Sequence, residues 1–288
     1  MNESIVALIC PFDENNKINY DELDRLCDYQ IENKTDGILL LGTTQESESL
    51  TKEEKHELVD FVYHKVYKKM KIIIGIISNI TEEVVSISKQ YDEYDIDSFL
   101  VITPYYNKTN VSGLIKHFTY IADHVSKPIV LYNVPKRTGM SIPIDVVRIL
   151  SYHHNIIGIK DASGDALYTQ EIAKFINNKF KLYCGDDKSM IISLFLGASG
   201  SISVIANAFP LEVKLIHESF DKNINISKTT FNKLNSLIDA IFKETSPIGI
   251  KYLLYIIGFN TKKYRRPLDE PSLEVKRLIE EKTLEIIE

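Results

Sequence analysis

The stretch "NIIGIKDASGD" ends a short apolar run on Lys160, which is followed at once by Asp161. Such a run is typical of a buried strand, and a buried ammonium group is costly unless it is paired, neutralised or functional. Lys160 therefore has two interpretations. It either reaches solvent or pairs with Asp161 at the strand end, or its amine is held partly desolvated for chemistry. Desolvation disfavours the charged form, and a neutral amine attacks ketones to give a Schiff base and then an enamine.

Polar side chains also end other apolar runs of the chain. They are Thr43 and Thr44 in "LGTTQES", Tyr105 and Tyr106 in "TPYYN", and Tyr132 and Arg137 in "YNVPKRTG". Tyrosine and threonine hydroxyls can relay protons while a carbinolamine forms and loses water. The turn at the threonine pair can offer backbone N–H groups to a substrate carboxylate. Together these residue types predict a site for an unphosphorylated keto acid.

Eight short runs of apolar, mostly β-branched residues recur along the chain and are predicted to be strands. They are "SIVALIC", "DGILLLG", "KIIIGII", "SFLVITP", "PIVLYNV", "IIGIKDA", "KLYCGDD" and "GSISVIA". Their nearly continuous apolar character is typical of parallel strands that are covered on both faces. Segments of helical period lie between them, and one of these begins with Thr51 as N-cap and Glu54 three residues later.

This alternation of strands and helices predicts the fold class. Eight units of roughly 25 residues are the pattern of an α/β protein of the TIM type, a (β/α)8 barrel. A doubly wound sheet is the alternative, but it gives no reason for eight units, and no G-x-G-x-x-G follows the first strand. After about Pro210 only helix-like segments follow. We therefore predict a catalytic barrel over residues 1–222 and a C-terminal helical subdomain, packed on the barrel, over residues 223–288.

The geometry of a barrel predicts where Lys160 lies and which residues are its neighbours. Active sites of such barrels lie at the C-terminal ends of the strands, where Lys160 and Tyr132 both fall. Because side chains alternate between the two sides of a barrel wall, Ile156, Gly158 and Lys160 share one side of their strand. We expect Gly158 to leave room for the methylene stem of Lys160, and Tyr132 on the neighbouring strand to lie within reach of the amine.

Composition excludes several classes of partner. The 288 residues carry a formal net charge of −6, which argues against binding to nucleic acid or to an anionic membrane surface. No apolar run approaches the length that a membrane span needs. Three cysteines without motif spacing argue against a disulfide framework, and the N-terminal residues lack a basic leader. We expect a cytoplasmic protein.

Metal and cofactor motifs are weak in this sequence. No H-x-H or H-E-x-x-H is present, so a metal-dependent aldolase is disfavoured. The segment "GASG" before the eighth strand could hold the phosphate of a pyridoxal cofactor, but it is short. The tyrosines and threonines favour an unphosphorylated keto acid, so we predict neither a metal nor an organic cofactor.

Five segments in chain order resemble one known family. "LGTTQES", "ITPYYN", "YNVPKRTG", "IIGIKDASGD" and "GSISV" are similar to the motifs of the dihydrodipicolinate synthase/N-acetylneuraminate lyase family, and "ETSPIGIK" is similar to its C-terminal segment. The resemblance runs from Ile5 into the C-terminal helices. It implies a lyase of class I aldolase type on a (β/α)8 barrel, which forms an imine between pyruvate and Lys160 without a metal or cofactor.

The resemblance also implies a role for each residue of the site. Thr43, Tyr132 and Tyr106 would form the proton relay, with Tyr106 reaching in from a neighbouring subunit of a homodimer or homotetramer. Thr43 and Thr44 would hold the pyruvate carboxylate. The remaining implied residues are Arg137, which would receive the carboxylate of aspartate semialdehyde, and Gly185 and Ile202, whose backbone would shape the pocket around the imine.

Arg137 discriminates between branches of the family. The segment "YNVPKRTG", with its arginine, resembles the motif of the branch that condenses pyruvate with aspartate semialdehyde in diaminopimelate and lysine biosynthesis. The sialate-lyase branch usually lacks this arginine. One alternative is another pyruvate aldolase or lyase of the family, acting on a keto-deoxy sugar acid or a related aldehyde. The other is a catalytically weakened paralogue that binds a keto acid.

The sequence departs from the family pattern in the turn that contains Thr43 and Thr44. Gln45 stands where the family usually has glycine after the threonine pair, and a left-handed conformation there would strain a glutamine by about 1 kcal/mol. After the third strand, "GIISN" replaces a Gly/Thr-rich turn and makes that rim more apolar. These two departures are the support for the weakened paralogue.

A third departure concerns feedback by lysine. Members that lysine inhibits line an allosteric site with residues that follow the threonine pair. The matching positions here include Glu48, Lys52 and Lys55, whereas the positions that fit the inhibited pattern are Asn79, Glu83 and Tyr105. Two added ammonium groups would repel a lysine ligand, so we predict weak or absent inhibition by lysine.

Overall fold

A computed structural model describes residues 2–287 of the chain. Its eight strands are β1 (Glu3–Ala7), β2 (Gly37–Leu40), β3 (Lys71–Ile76), β4 (Ser98–Ile102), β5 (Ile129–Asn133), β6 (Ile156–Asp161), β7 (Lys181–Cys184) and β8 (Gly200–Ser203). They close into one barrel in chain order, and their registered pairs are parallel. The predicted fold class is thereby confirmed.

Helices follow the strands and continue beyond the last one. They are α1 (Tyr20–Glu32), α2 (Lys52–Val66), α3 (Thr81–Ser88), α4 (Val111–His124), α5 (Pro135–Thr138), α6 (Ile144–Leu150), α7 (Ala166–Ala173), α8 (Met190–Phe195), α9 (Pro210–Phe220), α10 (Ile224–Ile241), α11 (Ile248–Ile256) and α12 (Leu273–Ile287). The predicted capping box begins α2, because Thr51 Oγ1 accepts from Glu54 N while Glu54 Oε2 accepts from Thr51 N.

The described residues form two compact units. One contains the residues up to Lys71 and from Ser203 onward, and the other contains Ile72–Ile202. In the first unit α10 packs on α9 and α12, and α9 packs on β1. The predicted boundary between a barrel of residues 1–222 and a helical subdomain of residues 223–288 stays a prediction.

In the second unit the strands are the buried core. All five residues of β4 and all five of β5 are buried, which is the reason that their sequences are apolar throughout. The registers of β5 and β6 are irregular at the start, since Ile129 pairs with Ile156 but Val130 pairs with Gly158. This bulge puts one extra residue into β6. It sets the register of the residues that follow it along both strands, in which Tyr132 lies beside Lys160.

No helix within residues 2–287 is long and apolar enough to cross a membrane.

Candidate active site

Lys160 lies near the carboxyl end of β6 and is buried. Its side chain is 5% exposed, and its Nζ lies over the ring of Tyr132, 4.6 Å from the ring centroid. Tyr132 is the register partner of Lys160 on β5 and is buried as well. The strands thus place a primary amine against a phenol, the pair that imine chemistry with a proton relay needs.

Space for the lysine stem comes from Gly185, the residue after β7. A Cβ built at Gly185 would lie 2.8 Å from Cε and 2.9 Å from Cγ of Lys160, closer than side chains approach. The expectation that Gly158 leaves this room was wrong. A Cβ at Gly158 would lie 2.5 Å from the carbonyl oxygen of Lys181, so this glycine lets β6 and β7 approach.

Ile202 lies on β8, the strand that pairs with β7 through Tyr183 and Gly200. Its side chain is fully buried. The backbone of Gly185 donates its N–H to the carbonyl oxygen of Asp161 at 2.7 Å, which continues the β6–β7 pairing to the end of the strands. Gly185 therefore holds a fixed position beside the lysine.

Arg137 lies on α5, one short turn after β5. Pro135 begins this turn, and Gly139 ends it in a left-handed conformation with φ of 69°. The Thr138 hydroxyl donates to the carbonyl oxygen of Met140 at 2.9 Å and stiffens the segment that follows. The Arg137 side chain is exposed to solvent.

Tyr106 sits in a strained turn after β4. Its φ is +67°, and the N–H of Asn107 donates to the carbonyl oxygen of Tyr105 at 2.8 Å, which makes a γ-turn centred on the tyrosine. Asn79 supports the turn by donating to the same carbonyl oxygen at 3.1 Å. The turn leaves the Tyr106 side chain 95% exposed. A strained aromatic residue held out in water is a feature that packing within one chain does not explain.

The threonine pair begins a turn of 3-10 helix, Thr43–Gln45, after β2. Thr44 and Gln45 are buried in it. The left-handed conformations fall on Leu41 and Glu46, with φ of 52° and 54°, so the expected strain at Gln45 was wrong. Gln45 closes the turn instead, because its Oε1 accepts from the N–H of Leu41 at 2.5 Å.

A buried ion pair anchors the end of this turn. Glu46 Oε1 accepts from Lys251 Nζ of α11 at 2.5 Å, and Glu46 Oε2 accepts from the N–H of Arg265 at 3.2 Å. Lys251 is fully buried, and its Nζ also lies over the rings of Phe12 and Tyr264. The turn that carries the threonine pair is therefore held by a residue of the C-terminal helices.

Comparison with known proteins identifies the family of the chain. The model of the dihydrodipicolinate synthetase family matches residues 1–286. The chain belongs to this family. The resemblance predicted from the five motifs is thereby confirmed, together with the TIM-barrel fold that it implied.

Individual members of the family are similar over nearly the whole chain. A 4-hydroxy-tetrahydrodipicolinate synthase of Brachyspira hyodysenteriae is 42% identical over 264 residues, which are 91% of this chain and 90% of the relative. One from Clostridium perfringens is 40% identical over 93% of this chain and 92% of its own. The crystal structure of dihydrodipicolinate synthase from Acinetobacter baumannii complexed with pyruvate is 32% identical, covers 99% of this chain and 98% of its own, and has a TM-score of 0.95.

Four residues that hold the site in place escaped the sequence analysis. Asn133 and Asp161 follow Tyr132 and Lys160 directly and are both buried. Polar residues at the ends of two apolar strands are a visible signal, but the sequence indicates Asp161 only as a partner of Lys160. Its carboxylate accepts instead from Asn133, Ser163 and Thr169. Glu46 and Lys251 carry no such signal, because 205 residues separate them.

Among residues 2–287 no group of three or more His, Cys, Asp or Glu side chains is placed to hold a metal ion.

Proposed function

We propose that the chain condenses pyruvate with L-aspartate-4-semialdehyde to 4-hydroxy-tetrahydrodipicolinate, through an imine between pyruvate and Lys160. The enzyme is a lyase of the class I aldolase type, and its product enters lysine and diaminopimelate biosynthesis. The observation that carries the proposal is the buried amine over the Tyr132 ring, near the carboxyl end of a barrel strand. Membership of the family supplies the two substrates.

The chemistry follows from the amine. Nζ adds to C2 of pyruvate, and the carbinolamine loses water to give the imine. Loss of a proton from C3 gives the enamine, whose carbon adds to the aldehyde of the second substrate while the aldehyde oxygen takes up a proton. The amine of the second substrate then attacks the imine carbon and displaces the Lys160 amine, which closes the product ring and frees the enzyme. The iminium nitrogen accepts the electron pair during deprotonation, so the reaction needs neither a metal nor an organic cofactor.

Three hydroxyl groups serve as the proton relay in this proposal. Tyr132, Thr43 and Tyr106 move protons while the carbinolamine forms and loses water. The contact between the Lys160 amine and the Tyr132 ring supports the first of these roles. Thr43 and Thr44 hold the pyruvate carboxylate, a role that the short, anchored turn suits because the first N–H groups of a helical turn have no acceptor within that turn.

The remaining proposed roles concern the second substrate and the walls of the site. Arg137 receives the carboxylate of aspartate semialdehyde, for which the planar guanidinium is well suited. Its exposure on a turn stiffened by Thr138 supports this role. The backbone of Gly185 and Ile202 shapes the pocket around the imine, and the contact of Gly185 with the Lys160 stem supports the first of these.

Reduction with borohydride in the presence of pyruvate tests the central step. We expect one reduced adduct of pyruvate per chain by intact mass, located on Lys160 by peptide mapping. Lys160→Met is the control and should form no adduct, whereas Lys181→Met, one strand away, should form it as the wild type does. No adduct on the folded wild-type protein would overturn the proposal.

Turnover with the second substrate separates the alternatives. A family lyase for a keto-deoxy sugar acid would form the same adduct but would not consume aspartate semialdehyde. A weakened paralogue would bind pyruvate without turnover. Gln45 has an ordinary 3-10 conformation without left-handed strain, which removes one of the two features that would support a paralogue. We expect production of 4-hydroxy-tetrahydrodipicolinate from pyruvate and the semialdehyde.

We also propose a homodimer, or a homotetramer, in which Tyr106 serves the site of a neighbouring subunit. The exposed tyrosine in its strained turn supports the first contact. Leu167 on α7 and Ile192 on α8 are exposed, and these two helices pack on each other. The two exposed apolar side chains support a second contact between subunits.

Mixing two inactive variants tests the crossing of Tyr106. Lys160→Met and Tyr106→Phe are each expected to be inactive or nearly so. If Tyr106 crosses, a mixed dimer has one site with both residues intact, and refolding the two variants together restores activity. If Tyr106 serves its own subunit, every site lacks one residue and no activity returns.

The cytoplasmic location is likewise a proposal. The cysteines Cys10, Cys27 and Cys184 are free thiols, which a reducing compartment preserves. Cell fractionation with an antibody tests it, and recovery outside the cytoplasmic fraction would contradict it.

A further inference from the structure

The residues that follow Tyr132 and Lys160 form a pair of their own. Asn133 Nδ2 donates to Asp161 Oδ1 at 2.8 Å, and both residues are buried. They are register partners at the ends of β5 and β6, one step beyond the partners Tyr132 and Lys160. Because successive side chains of a strand point to opposite faces, the two pairs lie on opposite sides of the barrel wall.

Both members of this pair are held by further hydrogen bonds. The Asp161 carboxylate also accepts from Ser163 N at 3.1 Å, from Ser163 Oγ at 2.9 Å and from Thr169 Oγ1 at 2.8 Å. Asn133 Oδ1 accepts from the N–H of Ile142 at 3.0 Å. Asn133 therefore bridges β6 and the segment that follows the Arg137 turn.

Stability alone does not explain why the Asn133–Asp161 pair is buried at this place. Burial raises the pKa of the Asp161 carboxyl above its usual range, and the hydrogen bond from Asn133 opposes this rise. A buried carboxylate is therefore costly, and apolar side chains of similar volume serve a protein core as well or better. A hydrogen bond differs from apolar packing because it forms only when its donor and acceptor lie at one distance and in one direction.

Register is the property that a directional bond specifies. The bulge at the start of β5 and β6 shows that these two strands do not keep one register over their whole length. A slip of one residue moves every side chain of a strand to the other face. Above the bulge, Asn133 and Asp161 satisfy each other only in the register that also puts Lys160 beside Tyr132.

We propose that the Asn133–Asp161 hydrogen bond is a positioning device for the reaction, which fixes the register that holds the amine of Lys160 over the phenol of Tyr132. The two residues act from the outer side of the barrel wall, through the strands and not through contact with substrate. The proposal rests on the proposed function of Lys160 and Tyr132.

A reciprocal exchange tests it. Asn133→Asp sets two carboxylates against each other while it preserves the acceptor for Ile142. We expect the rate of imine formation with pyruvate, measured by borohydride trapping, to fall by about tenfold to a hundredfold. Adding Asp161→Asn restores one donor against one acceptor at the wild-type net charge, and the Ser163 and Thr169 hydroxyls are able to accept as well as donate. The Ser163 N–H loses its acceptor at Oδ1, so the double variant should recover a large part of the wild-type rate but not all of it.

A matched control separates position from stability. Thr169→Val removes a hydrogen bond to the same carboxylate, but that bond joins β6 to α7 and not to β5. It should lower the thermal midpoint and leave the rate of imine formation unchanged. For Asn133→Asp we expect kcat to fall while KM for aspartate semialdehyde changes by no more than about twofold, because the bond to Ile142 remains.

Each outcome supports or overturns the proposal. A wild-type rate in Asn133→Asp, no recovery in the double variant, or an equal loss of rate in Thr169→Val would each overturn it while the proposed function stands. If Asn133→Asp does not fold, Asn133→Ala replaces it, because it removes the bond to Asp161 without setting two carboxylates together. A slower rate of imine formation is then expected, and an unchanged rate is the contrary result. No adduct on Lys160 of the wild type would instead show that the proposed function itself has failed.

Discussion

Two glycines near Lys160 have different reasons to be glycine, and each reason predicts a different defect. Gly185→Ala drives a methyl group into the lysine stem, with 2.8 Å to Cε. We expect imine formation to slow by about a hundredfold, because a displacement of about 1 Å has this effect on a positioned group. Trapping with borohydride measures it.

The contrasting variant is Gly158→Ala, whose Cβ would meet the carbonyl oxygen of Lys181. A clash with backbone forces strands apart and costs about 1–3 kcal/mol of unfolding free energy. Urea denaturation measures that loss. If Gly185→Ala lost stability and kept its rate of trapping, the reason we assign to Gly185 would be wrong.

Replacement of Arg137 is expected to impair only the second half of the reaction. Arg137→Ala removes the group that we propose receives the semialdehyde carboxylate, and the substitution lies outside the strands that carry Lys160 and Tyr132. We expect the pyruvate adduct to form at the wild-type rate and kcat/KM for aspartate semialdehyde to fall by about a hundredfold, as loss of a bidentate charged contact does. The neighbouring exposed residue gives the control, because Lys136→Ala should leave both steps intact.

Feedback by lysine is a further prediction at the scale of single residues. Lys55 Nζ lies 3.5 Å from Glu48 Oε1, and Lys52 is exposed at the start of α2. Two ammonium groups repel a third, so initial rates should stay constant as lysine is added at low concentration. Strong inhibition in this range would refute the prediction. Replacing both lysines by alanine should raise the sensitivity.

At the scale of secondary-structure elements, the ion pair between Glu46 and Lys251 joins the threonine turn to α11. Lys251→Met leaves the Glu46 carboxylate buried without its cation. Breaking a buried pair from one side costs about 3–5 kcal/mol. We expect this loss in urea denaturation, together with a higher KM for pyruvate, because the turn loses its anchor.

The exposed pair between Lys55 and Glu48 provides the control for this experiment. Its partners are 27% and 58% exposed, so Lys55→Met should cost no more than about 1 kcal/mol. Adding Glu46→Gln to Lys251→Met removes the stranded charge and should recover part of the stability. Equal losses in Lys251→Met and Lys55→Met would contradict the anchoring role of the buried pair.

At the scale of the whole molecule, two buried histidines make stability depend on pH. Burial lowers the pKa of His117 to about 4, against a smaller opposing effect of Glu82. Burial lowers the pKa of His217 to about 4 as well, with Asp36 opposing and Lys214 adding to the shift. In the unfolded chain a histidine takes up a proton below about pH 6.5. The unfolded state therefore binds more protons between about pH 6.5 and 4, and stability falls as the pH falls through this window.

Denaturation at pH 7 and pH 5 measures this effect. Each histidine should contribute a loss of about 2 kcal/mol between these two values. His117→Gln removes one titrating group and should make the loss smaller by that amount. His64→Gln, at an exposed position on α2, is the control and should keep the wild-type dependence. An unchanged dependence in His117→Gln would contradict the assignment.

Much of the fold and the centre of the site followed from the sequence. Apolar runs revealed the eight strands because both faces of each strand are covered, and strand ends brought Lys160 and Tyr132 together because parallel strands end at the same side. The reason for a glycine did not follow, since it depends on which neighbour approaches. The conformation of Gln45 did not follow either, because its neighbours Leu41 and Glu46 adopt the left-handed conformations instead.

On the ribosome, the two compact units become complete at different times. Residues Ile72–Ile202 are contiguous, so their strands and helices can pair soon after they emerge, whereas the first unit waits for the C-terminal helices. Glu46 leaves the exit tunnel early, and its cation Lys251 follows 205 residues later. Until then the carboxylate stays in water, where it needs no partner. A nascent chain thus holds Lys160 on paired strands before the turn that carries Thr43 and Thr44 is anchored, and we expect activity only after the C-terminal helices have joined the first unit.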